Sequence, residues 1–221
     1  FRNEEFYNIT LGADYYINDL NVLTVSGSFA YEIEDQPSET DFKAFNENGD
    51  LVSSWVRTEE TEADNPKWQY DLQYKREFKN NEDHVLLMSA LGNFFGKDLN
   101  SEFENVYEVG NEDIEYQRTE THFYEGDYTF KLDYTNPISD QITLELGSMY
   151  EIQDVGNEYE VSDLINGDWV IDSGLTNNFE FDQKVLGVYG TGSYEQGNWG
   201  VKLGLRVENT DLTTLLTTTN E

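Results

Sequence analysis

Tyr124-Glu125-Gly126-Asp127-Tyr128-Thr129-Phe130-Lys131-Leu132-Asp133-Tyr134 alternates large apolar side chains with polar or charged ones. Tyr124, Tyr128, Phe130, Leu132 and Tyr134 share one parity, and Glu125, Asp127, Thr129, Lys131 and Asp133 share the other. Successive side chains of a strand point to opposite faces, so a period of two specifies a strand with one apolar and one polar face. The pattern recurs outward from this stretch. Leu23, Val25, Phe29 and Tyr31 oppose Thr24, Ser26, Ser28 and Ala30; Trp68, Tyr70, Leu72 and Tyr74 oppose Gln69, Asp71, Gln73 and Lys75. Near the end, Trp199, Val201, Leu203, Leu205 and Val207 alternate with Gly200, Lys202, Gly204, Arg206 and Glu208. Two segments do not declare their faces. His84–Phe95 is apolar on both, and Phe179–Tyr194 changes phase near Gln183-Lys184, where a bulge is expected.

The connections alternate in length. Tight polar turns fall at Asn18-Asp19-Leu20-Asn21, Lys79-Asn80-Asn81-Glu82-Asp83, Asn136-Pro137-Ile138-Ser139-Asp140 and Glu195-Gln196-Gly197-Asn198. Between them lie long acidic stretches, 34–67, 96–120 and 153–177, with hairpin tips at Asn48-Gly49-Asp50 and Asn166-Gly167-Asp168. This predicts an all-β fold: an antiparallel up-and-down meander of about eight long strands, with short turns at one end and hairpin-like excursions at the other.

Strand length separates the two architectures that produce such a meander. Soluble sandwich strands have a mode of about 5–6 residues, whereas a strand crossing a bilayer at a tilt needs about 9–11. The alternation here runs that far. Lys131, Asp133, Glu145, Lys202 and Arg206 lie mid-strand on polar faces, as a wet lumen requires. A lysine or arginine on the lipid side would cost about 2–4 kcal/mol at mid-bilayer, and the four well-phased apolar faces carry none. Tyr15, Tyr16, Tyr31, Trp68, Tyr74, Tyr134, Tyr150, Tyr194 and Trp199 cluster near strand ends, where interfacial girdles form.

Composition closes off other classes. The 221 residues carry 13 Lys plus Arg against 45 Asp plus Glu, a net charge of −32 that repels nucleic-acid phosphates. Aromatic residues make up 14% of the chain, more than a disordered acidic chain carries. With no Cys and only His84 and His122, thiolate chemistry and histidine-built metal sites have no material. The longest apolar stretch, Val85 to Phe95, is about half of the roughly 20 residues a spanning helix needs.

Particular residues carry a family resemblance. Leu11-Gly12-Ala13-Asp14-Tyr15-Tyr16-Ile17-Asn18-Asp19, followed by Leu23-Thr24-Val25-Ser26-Gly27, resembles a strand–turn–strand of TonB-dependent outer-membrane receptors of Bacteroidota type. Leu132-Asp133-Tyr134-Thr135-Asn136-Pro137-Ile138-Ser139 resembles a second such turn. Val188-Tyr189-Gly190 with Gly204-Leu205-Arg206-Val207-Glu208-Asn209-Thr210-Asp211 resembles a third hairpin. The resemblance implies a barrel of about 22 strands around a plug, in the bacterial outer membrane, importing a small nutrient with energy from TonB. Its implied partners are outer-membrane lipid, TonB through the N-terminal part of a parent chain, and the nutrient. Plug, TonB-contacting segment, signal peptide and an aromatic-terminated closing strand are not in residues 1–221, which end on Thr217-Thr218-Thr219-Asn220-Glu221. The expectation is therefore a partial barrel, a passive wall and vestibule and not an enzyme.

Candidate binding residues are the aromatics of the long stretches, Phe45, Trp55, Tyr107 and Trp169, since loops on a rigid scaffold carry binding. The acidic clusters Glu59-Glu60, Glu62, Asp64 and Glu102, Glu104, Glu108 have the residue type of a glycosidase pair but no defining separation. Asn46-Glu47-Asn48-Gly49-Asp50 and Asp163-Leu164-Ile165-Asn166-Gly167-Asp168 have oxygen spacing compatible with Ca2+, though neither is an EF-hand; no other cofactor is expected. The alternative is a secreted soluble β-sandwich or barrel acting as a glycan-binding module, and a closed eight-stranded barrel is a third possibility.

Overall fold

The computed structural model describes residues 3–79, 81–110 and 114–217. Phe1, Arg2, Asn80 of the second tight turn, and Thr218-Thr219-Asn220-Glu221 lie outside the described residues.

Ten strand segments form one antiparallel sheet: β1 (Asn3–Asn18), β2 (Asn21–Asp35), β3 (Ser38–Phe45), β4 (Leu51–Phe78), β5 (Asn81–Val109), β6 (Glu115–Ser139), β7 (Ile142–Ile165), β8 (Asp168–Ile171), β9 (Asn177–Gln196) and β10 (Trp199–Leu216). Their order is β1-β2-β4-β5-β6-β7-β9-β10. β2 and β3 lie end to end along β4, interrupted at Gln36-Pro37, and β8 and β9 do the same along β7. The ten segments therefore fill eight strand positions, as the alternation predicts. Among the described residues there is one sheet and no second sheet facing it, which is not a sandwich. β1 and β10 are the two edges, and no ladder joins them among the described residues.

Registers fix which residues share a face. Val25, Leu72, Ala90, Phe130, Tyr150 and Leu186 are successive partners in one row. The next row is Thr24, Gln73, Ser89, Lys131, Met149 and Gly187, and it belongs to the opposite, polar face. Leu72 is 41% exposed, Phe130 44%, Leu203 75% and Trp199 84%. The apolar face therefore does not close on itself as a soluble core. From Tyr7 to Ile17 on β1, Leu23 to Tyr31 on β2, Pro66 to Tyr74 on β4, Leu86 to Phe94 on β5, Tyr124 to Tyr134 on β6, Ile142 to Ile152 on β7, Leu186 to Tyr194 on β9 and Trp199 to Val207 on β10, this face carries no Asp, Glu, Lys or Arg. Each strand contributes about the length that a tilted crossing needs.

The apolar band slants across the hydrogen-bonded rows. On β2 it reaches Tyr31, whereas on β9 it stops at Leu186, which lies in the row of Val25, six residues nearer the short turns and five strand steps away. At about 3.3 Å per residue and about 4.8 Å between strands, a level band requires strands tilted by about 40°. That is the tilt of membrane barrels.

The same slant corrects the expected bulge at Gln183-Lys184. β9 keeps constant register against both β7 and β10 from Phe179 to Tyr194. The phase changes because the strand leaves the apolar band: Asp182 and Lys184 continue the parity of Leu186, and Phe179 and Phe181 lie on the polar face. Registers also settle His84–Phe95. Leu86, Met88, Ala90 and Phe94 are on the apolar face, with Val85, Leu87, Leu91 and Phe95 opposite. Tyr16 departs from the expected girdle, because it pairs with Val22 in the row of Lys75 on the polar face.

Candidate functional site

The stretches 34–67, 96–120 and 153–177 are mostly not loops. β4, β5, β6 and β7 continue through them as paired strands, so Trp55 and Tyr107 are strand residues and Trp169 belongs to the short β8. On β5, residues 96–109 extend about 45 Å past the band at about 3.3 Å per residue.

The polar face of this extension holds a continuous cluster. Trp55 sits between Phe42 of β3, centroids 5.0 Å apart and planes 8° apart, and Tyr107 of β5 at 5.6 Å and 31°. The Tyr107 hydroxyl donates to Glu115 Oε2 at 3.0 Å. Burial first, and this bond second, raise the phenol above its ordinary value. One row inward, the Arg57 guanidinium lies 4.1 Å from the Phe103 centroid and donates through Nη2 to Gln117 Oε1 at 3.1 Å. Gln117 Nε2 in turn donates to Asp163 Oδ1 at 3.0 Å.

Below this cluster, Thr61, Ser101, Thr119 and Val161 form one row and are all buried. Small side chains there let longer neighbours close over them, and the Thr61 and Ser101 hydroxyls bond at 2.6 Å. Nearer the band, Asn65 Nδ2 donates to buried Glu34 and, at 3.3 Å, to Glu32, while Lys97 and Lys67 pair with the same two carboxylates at 3.5 Å. Buried charge is tolerated where it is paired in this way.

Of the four expected binding residues, the structure joins two. Trp55 and Tyr107 meet at a tilt, but Trp55 also stacks on Phe42, so its ring ties β3 and β5 together. Phe45 is 60% exposed at the hairpin tip, outside the stack. Trp169 pairs with Leu164 on the opposite face, where Arg118 lies 4.9 Å over its ring. Phe42, Arg57, Phe103, Gln117 and Asp163 were not legible as a site, because the outer part of β4 has no apolar alternation from which to read parity.

The two oxygen-rich tips are closed by their own bonds. Asn46 Oδ1 accepts from the amides of Asn48 and Asp50 at 3.0 and 2.9 Å. Asn166 and Gly167 have φ of 54° and 91°, as a two-residue hairpin requires. Among the described residues no three or more His, Asp or Glu side chains are placed to hold a metal ion.

At band level the polar face is ionic. Lys202 Nζ meets Glu145 Oε2 at 2.6 Å, Tyr189 donates to Asp133, and Arg206 pairs with Glu208 at 2.5 Å. A charged face backing a tall, charge-free apolar face is the section of a membrane barrel wall. Residues 76–221, well over half of the chain, match the outer membrane protein beta-barrel family.

The chain belongs to that family.

In this outer membrane beta-barrel protein the apolar face meets lipid and the ionic face lines the lumen. Its place is the bacterial outer membrane. The four tight turns mark the periplasmic end, and the extension rises on the extracellular side. No curated protein matches the chain.

Proposed function

We propose that this chain forms part of the wall of a TonB-dependent receptor, a larger barrel that imports a small nutrient. The observation that carries this reading is the pair of edges, β1 and β10, which no ladder joins among the described residues. In lipid, an unpaired strand edge leaves backbone donors and acceptors unsatisfied at several kcal/mol each, so β1 and β10 call for further strands. Eight positions supply roughly a third of a barrel of about 22, the size that encloses a plugged lumen. The strand and turn motifs around Asn18, Pro137 and Arg206, which resemble those of such receptors, favour the same reading.

On this reading the wall is passive and not catalytic. The lumenal cluster around Trp55, Arg57, Gln117 and Asp163 forms the vestibule that a nutrient meets first, and TonB acts through another part of the parent protein.

Nutrient depletion from the medium tests the proposal. Strains deleted for this protein or for TonB are compared with wild type by metabolite profiling. Compounds left unconsumed in both deletions support TonB-coupled uptake. A deletion strain that consumes everything the wild type does overturns it.

A further inference from the structure

Among the lysines and arginines, Lys67, Lys75, Lys97, Arg118, Lys202 and Arg206 each meet a carboxylate. Arg76 is different. It pairs with Asn21 and Leu86 on the lipid face, one row beyond Tyr74, where the band meets the periplasmic interface. Its side chain is exposed, and its guanidinium lies 4.9 Å over the Phe78 ring. No carboxylate among the described residues pairs with it. The same Phe78 ring is stacked by His84 at 4.0 Å and 17°. His84 Nε2 is 2.8 Å from the Tyr134 hydroxyl, and among the described residues its second ring nitrogen has no hydrogen-bond partner. Glu82 shares the parity of His84 but lies nearer the turn.

We propose that Arg76 and His84, carried on Phe78 and Tyr134, form a binding site for the phosphate group of a periplasmic-leaflet phospholipid. An unpaired guanidinium at the depth of the headgroups offers forked N–H donors to phosphate oxygens. The Phe78 and Tyr134 rings hold that donor set at the interface, where amphipathic rings reside. An anion also supplies the countercharge that no carboxylate among the described residues gives Arg76. The site depends on membrane location and not on the transport reading.

Native mass spectrometry on the full chain, purified in detergent and titrated with dioleoyl phosphatidylglycerol, tests the site. The Arg76→Gln variant is expected to retain the lipid about fivefold more weakly, as loss of one headgroup-level cation implies. His84→Ala should weaken it less. Arg206→Gln removes a lumenal cation and should leave retention unchanged. Equal retention by Arg76→Gln and wild type overturns the proposal, as does an equal loss in Arg206→Gln. If Arg76→Gln does not insert, Arg76→Lys is read instead, and it should fall between the two. Displacement of the lipid by millimolar inorganic phosphate would overturn its assignment to a lipid headgroup.

Discussion

The ring of Tyr70 on β4 lies across Gly92, its direct partner on β5, so closely that a β-carbon at Gly92 would overlap the ring. Tyr124 covers Gly156 in the same way on the lipid face, and Tyr189 covers Gly147 on the lumenal face. A glycine in a strand interior normally weakens it, and here each aromatic fills the space that the missing side chain leaves.

Gly92→Val should therefore destabilise the barrel by about 1–3 kcal/mol, the usual cost of overpacking. Gly192→Ala, where nothing lies within 4 Å of the added carbon, should be neutral. The temperature at which the heat-modifiable band converts on a gel separates the two. Equal conversion temperatures would show that the Tyr70 ring yields freely.

Leu72 and Gln73 are neighbours in sequence on opposite faces at mid-band. Leu72→Arg should cost about 2–4 kcal/mol of folding free energy in lipid vesicles, while Gln73→Arg, facing the water-filled lumen, should cost little. Reversed costs in a urea titration would mean that the two faces are assigned the wrong way round.

The stack at Trp55 should hold the outer hairpin to the wall. Trp55→Ala and Tyr107→Ala are expected to couple by about 0.5–1.5 kcal/mol in a double-mutant cycle. Each should expose the tip near Phe45 to protease while leaving the membrane portion protected. Additive effects would show that the rings touch without holding anything.

The Tyr107 phenol titrates above its ordinary value of 10.0. A raised value in the folded state means that the neutral phenol is favoured by folding. That contribution is intact below pH 10.0 and is lost as the pH rises past it, when the unfolded phenol ionises first. Glu115→Gln should lower the Tyr107 value towards 10.0 without reaching it, because burial is the larger cause. Ultraviolet difference titration against Tyr107→Phe isolates this phenol.

The strands inside the band were legible because lipid and water impose opposite demands on alternate residues. Leu72 and Lys131 reveal their faces without any coordinates. Outside the band that contrast ends, and Trp55, Arg57 and Glu59 follow one another with no apolar partner rhythm, so strand passes for loop. At Lys184 the change of environment imitates a change of phase. The lumenal contacts between Arg57, Gln117 and Asp163 join residues far apart in sequence, and only the register of three strands brings them together.

β5 runs for 29 residues from the periplasmic turn to the outer rim, and β4 and β6 flank it over most of that distance. The β5–β6 ladder passes the membrane surface unbroken, while the β4–β5 ladder skips Asn65 and Pro66 opposite Lys97 and Gly96 at that level. Along β5 and β6 the rim is continuous with the wall, so a push on its tip is carried as a lever into the bilayer. This wall behaves as a mast stepped in the membrane.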